Sequence, residues 1–229
     1  MYQRVMATDT NSARLVYIKF ETQYVRSRVY SYYTAGKGKM VKLDKIYTRG
    51  GDNGETSLSD GARLSKCSPR INVIGDVDEA NSAIGLAQTT LPTNHLLSGI
   101  LSRIQNDLFD LGADLAMPGD DATDGNLRMQ DKQVTRLETE IDLLNESLAP
   151  LTSFILPGGS VSASQIHMAR AVTRRAERTA LVLATEEPIN QFALQYLNRL
   201  SDLLFVAART ENDNGNTDTL WVPGLNVNE

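Results

Sequence analysis

The sequence predicts an all-α protein, a bundle of five helices preceded by a glycine-rich segment. Three observations predict it: long apolar stripes at three- and four-residue spacing, short connections rich in Pro, Gly or acidic residues, and no confident strand. Helices joined this closely run mostly antiparallel to their neighbours. With 229 residues, 41% of them hydrophobic, the chain has material for one globular core, alone or with tails.

The helices follow in order. "DVDEANSAIGLAQTTL", Asp76–Leu91, opens with acids, as a first turn favours, and stops before Pro92. Asp78 and Glu79 read there as N-terminal helix acids. Asn94–Met117 carries Leu97, Ile100, Leu101, Ile104, Leu108, Leu111 and Leu115 on one stripe and ends at Pro118-Gly119, before the polar loop "GDDATDGN". Asp131–Leu148 repeats the pattern with Val134, Leu137, Ile141, Leu144 and Leu148. "FILPGG", Phe154–Gly159, is a turn. Ser162–Thr185 and Asn190–Asn212 complete the set, separated by Glu-Glu-Pro.

Ahead of the bundle lies "KIYTRGGDNGETSLSDGARLSK", Lys45 to Lys66, with Gly50, Gly51, Gly54 and Gly61 among threonines, serines and aspartates. Glycine lets the backbone approach a ligand closely, and successive free N–H groups make anion-binding concavities. A phosphate cradle is one reading and an ordinary surface loop is the other. No Gly-Lys-Ser/Thr closes it, so it is not a Walker A sequence.

Residues 1–39 hold seven Lys/Arg against two Asp/Glu, a net +5 beside −10 for the remainder, and six of the eight tyrosines. A Gly/Lys tract leads from them to Met40, itself a candidate start. An appended N-terminus, a basic targeting peptide and a docking arm compete; the segment lacks an amphipathic period and is expected to be a non-essential, poorly ordered extension. The acidic total of −5 argues against nucleic acid as the main partner. No apolar run approaches a membrane span, and the single cysteine, Cys67, excludes an intramolecular disulfide and points to a reducing compartment.

In the fourth helix Arg170, Arg174, Glu177 and Arg178 share one stripe, with Arg175 beside it and alanines between. Exposed ion pairs are the plain reading. Several guanidiniums on one stripe also suit a polyphosphate, because each presents a planar fork to phosphate oxygens. In the fifth helix Asn198, Asp202 and Phe205 repeat that spacing on what is either a solvated face or part of a site. His167 reads as packed and hydrogen-bonded, and His95 as a surface residue. No zinc-type Cys/His cluster, Ser–His–Asp pattern or Rossmann fingerprint is present. Abundant arginine and a glycine-rich loop without a nucleophile imply that a substrate or cofactor supplies the reactivity.

Five stretches in register, "KIYTRGGDNGETSLSDG.RLSK", "GDVDEANSAIG", "FILPGG", "H.ARAVTRRAER" and "YLNRLSDLLFVAAR", resemble the PduO-type ATP:corrinoid (cob(I)alamin) adenosyltransferases from about Lys42 to Trp221. The resemblance implies a ferritin-like five-helix bundle in residues 41–221, made of an ATP loop (41–75) and the helices (76–215), with an extension at 1–40 and a tail at 222–229. It implies a homotrimer with ATP between subunits, transfer of the 5′-deoxyadenosyl group to the cobalt of cob(I)alamin, and release of triphosphate. Thr48, Arg49, Gly50, Gly51, Thr56, Ser57 and Lys66 would wrap the phosphates. Arg174, Arg175, Glu177, Arg178 and Asn198 would complete the nucleotide site, with Mg²⁺ on the phosphates and no metal held by the protein. Asp78 would pair with Arg170 at the subunit interface near the corrin. Phe154 would pack below the corrin and keep its lower nucleotide ligand off cobalt, so that Arg174, Asn198 and Phe154 carry the catalysis.

One departure stands out: Gly50 occupies a place where the family usually has threonine. A lost hydroxyl there removes one hydrogen bond, worth about 0.5–1.5 kcal/mol. The resemblance also implies a cytoplasmic enzyme, or a mitochondrial-matrix one if residues 1–39 are a transit peptide, served by a reductase and feeding a cobalamin-dependent enzyme. Two rival functions are an ATPase or kinase cleaving at the γ-phosphate, which lacks a visible base here, and a non-catalytic corrinoid carrier or ATP-sensing bundle.

Overall fold

The computed structural model describes residues 46–120 and 125–227. The extension at 1–40 and most of the loop after Gly119 fall outside them. The chain divides into two units, Met1–Thr48 and Arg49–Glu229; in the first, the described residues Ile46, Tyr47 and Thr48 are exposed.

The second unit starts with a hairpin of two short strands, β1 (Glu55–Ser57) and β2 (Arg63–Ser65), paired antiparallel with Thr56 opposite Leu64. No strand was legible in the sequence here because three-residue strands with no fully buried position carry no usable alternation. Five helices follow: α1 (Pro69–Gln88), α2 (Leu96–Leu115), α3 (Asp131–Asn145), α4 (Val161–Glu186) and α5 (Gln191–Thr210). The expected all-α bundle is correct.

The apolar stripes are the core. Ile100, Leu101, Ile104, Leu108 and Leu111 of α2 are buried against Val73, Val77 and Ile84 of α1, Ile166 of α4 and Leu200 and Leu204 of α5. Each fully buried side chain of this size contributes about 1.5–3 kcal/mol relative to exposure.

Polar contacts give the directions. Arg70 of α1 meets Glu187 beyond α4, and Asp76 meets Thr179, so these helices are antiparallel. Asn81–Gln105 with Gln88–Ser98, Asp107–Gln133 with Arg103–Glu140, and Glu177–Asn198 with His167–Phe205 give the same sense for α1–α2, α2–α3 and α4–α5. The exception is α3 beside α5, where Glu138 meets Arg199 and Ser147 meets Asn214: these two run parallel. Strict up–down alternation makes any odd-numbered pair parallel.

Helix α1 begins seven residues before the expected Asp76, with Ser68 at the N-cap and Pro69 in the first turn. Asp78 and Glu79 are therefore mid-helix residues rather than first-turn acids. Among the described residues no helix is long and apolar enough to cross a membrane.

Candidate functional site

The glycine-rich segment is an ordered loop. Arg49 takes a left-handed φ of 62°, the N–H of Asp52 donates to Arg49 O and that of Gly54 to Gly51 O, and the strands follow. Gly51 allows a close approach, since a Cβ there would lie 2.9 Å from Lys66 Nζ and 3.2 Å from Glu55 O, so the lysine would have to shift. The loop therefore folds Lys66 over the Gly50-Gly51 turn. Arg63 ties its two limbs, donating from Nη2 to Gly50 O at 2.7 Å and from Nη1 to Ser57 Oγ at 3.1 Å. Thr56 is half-buried and Ser57 exposed. Leu58 is buried, and the N–H of Ser59 donates to Ala116 O at 3.0 Å, which anchors the loop where α2 ends.

The arginine stripe runs along the middle of α4. Arg174 and Arg178 are exposed, and Arg178 Nη1 donates to Arg174 O at 3.0 Å. Asn198 of α5 donates to Glu177 Oε1 at 2.8 Å and accepts from Arg199 Nη1 at 2.6 Å, joining two residues that spacing alone placed on different helices. Burial pushes the Asp202 carboxyl up from its ordinary range; Arg199 and Arg174 oppose that shift and Glu177 adds to it. Two carboxylates, two guanidiniums and a carboxamide thus converge on one mid-bundle face. Arg175 turns the other way, its Nε at 3.2 Å from Asp76 Oδ1 and its Nη2 paired with Glu79. That carboxylate grip of α1 on α4 was missed in the sequence because Asp76 and Glu79 read as helix-start acids.

Among the described residues Asp78 is exposed with no hydrogen bond or ion pair, and Arg170 Nε is buried without a hydrogen-bond acceptor. The two do not meet in one chain. His167, one turn before Arg170, is buried against the edge of Phe205 with ring centroids 6.4 Å apart. It is packed as expected, but neither ring nitrogen is hydrogen-bonded. Burial pushes its pKa down, Arg170 pushes it further, and Asp218 partly opposes them. His95 is a helix cap rather than a plain surface residue, with Nδ1 accepting from Leu97 N.

Phe154 is 78% exposed, and its segment pairs with the tail through an Ile155–Leu220 bridge. It lies at the end of the bundle where α4 begins, whereas the loop is anchored at the end where α4 finishes. A 26-residue helix separates those ends by about 39 Å.

An all-α bundle with a structured glycine loop at one end, a cationic mid-helix stripe and an exposed aromatic at the other end belongs to the class of helical proteins that build ligand sites from facing helices. The sequence model of the cobalamin adenosyltransferase family matches residues 46–211, and the chain belongs to that family. It is 45% identical over 190 residues to the corrinoid adenosyltransferase of Mycobacterium leprae (strain TN), covering 80% of this chain and 98% of that one. It is 48% identical over 181 residues to the cobalamin adenosyltransferase of Cupriavidus metallidurans, covering 79% and 95%. Among solved structures, a phenylalanine-to-alanine variant of the PduO-type ATP:corrinoid adenosyltransferase from Lactobacillus reuteri, complexed with cobalamin and ATP, superposes with a TM-score of 0.72. It is 40% identical and covers 77% of this chain and 99% of its own.

Proposed function

We propose that the protein is an ATP:corrinoid adenosyltransferase, joining the 5′-deoxyadenosyl group of ATP to the cobalt of a cob(I)alamin-type corrinoid and releasing triphosphate. The observation that carries this reading is the continuous family match over residues 46–211, which takes in the glycine loop, the Phe154 segment and the Arg174–Asn198 cluster. In the reaction a cobalt–carbon bond forms as the bond from C5′ to the triphosphate oxygen breaks, and the electron pair leaves with triphosphate. Cob(I)alamin is already a strong nucleophile, so the protein needs no general base. Its tasks are to align cobalt with C5′ and to stabilise the leaving charge.

In this reading Arg49, Gly50, Gly51, Thr56, Ser57 and Lys66 wrap the phosphates. Arg174 and Arg178 face them from α4, Glu177 and Asn198 complete the nucleotide site, and Arg175, also on α4, steadies the stripe through its pairs with Asp76 and Glu79 of α1. Phe154 forms the apolar wall below the corrin. Among the described residues no three His, Cys, Asp or Glu side chains converge to hold a metal. In this reading a Mg²⁺ ion would come with the phosphate oxygens of ATP.

The loop anchor and Phe154 lie at opposite ends of one bundle, which supports a site completed between subunits of a homotrimer. A cytoplasmic setting fits the bacterial relatives named above, which lend nothing to a mitochondrial address. Residues 1–40 stand outside the proposed catalytic region. Protein lacking residues 1–39 is expected to turn over at the full-length rate, and a large loss would place the extension in the site.

The direct test is incubation with ATP and chemically reduced cobalamin, following the corrin absorbance and analysing the phosphate product. Adenosylcobalamin with triphosphate supports the reading. ADP as product would instead identify an ATPase or kinase, and binding without turnover a carrier or sensor.

A further inference from the structure

We propose that a buried clamp of Arg209, Asn212 and Asp218 positions Phe154, acting through the short extended stretch that bridges Ile155 at Leu220 and leads to Trp221. The proposal rests on the reading above that Phe154 faces the corrinoid. After α5 the chain reverses through three successive left-handed residues, Asp213 (φ 53°), Asn214 (φ 50°) and Gly215 (φ 81°). The reversal delivers Asp218 into the bundle end, where its side chain is 3% exposed and that of Arg209 is 7% exposed.

Both carboxylate oxygens of Asp218 are used: Arg209 Nε donates to Oδ2 at 2.9 Å and Asn212 Nδ2 to Oδ1 at 3.1 Å. Arg209 Nη2 also donates to Ala149 O at 3.0 Å, on the connection that leads to Phe154. Asn212 reaches the turn that follows Phe154. Its Oδ1 accepts from Ser160 N at 3.0 Å, and its Nδ2 also donates to Gly158 O at 3.1 Å. Gly159 leaves room for this contact, for a Cβ there would lie 2.0 Å from Asn212 Oδ1. One ion pair and one carboxamide thus hold both flanks of the Phe154 segment.

From Asp218 the chain runs out beside that segment. Leu156 N donates to Thr219 O at 2.8 Å, Trp221 N to Phe154 O at 2.7 Å, and Ser153 Oγ to Trp221 O at 2.7 Å. The Trp221 ring packs on the Phe154 ring with centroids 6.2 Å apart and planes tilted by 57°. Among the described residues Trp221 is the ring that packs on Phe154, so a side chain 78% exposed depends on it for orientation. A buried ion pair and left-handed non-glycine residues are costly ways to fold a tail. They are economical if what they secure is the position of an exposed aromatic.

The test compares two corrinoids, cobalamin and cobinamide, the second lacking the lower nucleotide ligand that Phe154 is proposed to hold off cobalt. For Trp221→Ala the ratio of kcat on cobalamin to kcat on cobinamide is expected to fall at least tenfold, with KM for ATP within twofold of wild type. Trp221→Phe should restore the ratio. Asp218→Asn should show the same fall, and because the ratio is independent of the folded fraction it can be read even if part of the variant unfolds. Should Asp218→Asn fail to fold entirely, the Trp221 pair decides. An unchanged ratio in Trp221→Ala, or equal loss on both corrinoids, overturns the clamp as a positioning device. Wild-type protein with no adenosyl transfer would overturn the functional reading itself.

Discussion

Arg174 is exposed on α4, so its removal takes little packing from the bundle. Its proposed work is to meet charge that develops on the leaving triphosphate, and preorganised donors of that kind are worth about 3–4 kcal/mol. Arg174→Ala is therefore expected to lower kcat about a hundredfold or more while the melting temperature stays near wild type. Loss within threefold would remove the stripe from the reaction. His167 is a second test at this scale. Its neutral form is favoured in the fold by burial and by Arg170, so the folded pKa lies below the ordinary 6.5. The unfolded chain then binds the proton first as pH falls, and the fold loses stability from about pH 6.5 downward. His167→Gln should flatten that loss in melting curves taken across the window, and an unaltered pH slope would show that other groups set it. The stripe and the Asn198 spacing were legible because helical period alone puts such residues on a face. The Arg209–Asn212–Asp218 clamp was not, because its meaning depends on a chain reversal that no short-range pattern encodes.

The helices were legible as elements and less so at their ends. The α2 stripe runs as expected, but α1 begins at Pro69 because Ser68-Pro69 is the start signal, and the acids that suggested Asp76 serve Arg175 and Thr179 instead. What joins the elements lies in residues no periodicity marks. Asp114, 2% exposed at the end of α2, pairs with Arg128 Nη1 at 2.6 Å through Oδ1. Its Oδ2 accepts from Met129 N and from Asn190 Nδ2, each at 2.7 Å. Asn190 is also the N-cap of α5, so one carboxylate fastens the end of α2 to the entries of α3 and α5. Asp114→Ala strands the Arg128 guanidinium in the interior and is expected to cost about 3–5 kcal/mol. Denaturant unfolding measures it, and a loss below 1 kcal/mol would mean that the joint is dispensable.

For the whole molecule, the proposed site has its parts at the two ends and the middle of a bundle whose longest helix spans about 39 Å. The loop is anchored by Leu58 and Ser59 beside the end of α2, Phe154 lies beyond the start of α4, and Arg174 is between them. A second chain, laid so that its loop end reaches the stripe of the first, brings the parts together. Two groups on the single chain fit that arrangement. Asp78 borders a groove between α1 and α2 with Ile71, Ile74 and the 72% exposed Phe109, an apolar surface with a carboxylate at its edge. Arg170 Nε has no acceptor among the described residues. The proposed pairing of Asp78 of one copy with Arg170 of the next would satisfy both and, repeated around a ring, would close a heterologous contact into a trimer. The expected particle has three times the chain mass of 25.2 kDa, measured by light scattering or sedimentation. Asp78→Asn removes the counter-charge and should weaken assembly by about 3–5 kcal/mol if the pair is desolvated, a shift toward monomers that grows on dilution. If each site is completed by two chains, as proposed, adenosyl transfer should fall along the same dilution curve. A fully active monomer would end this account, and an Asp78→Asn variant that stays trimeric on dilution would end the pairing with Arg170.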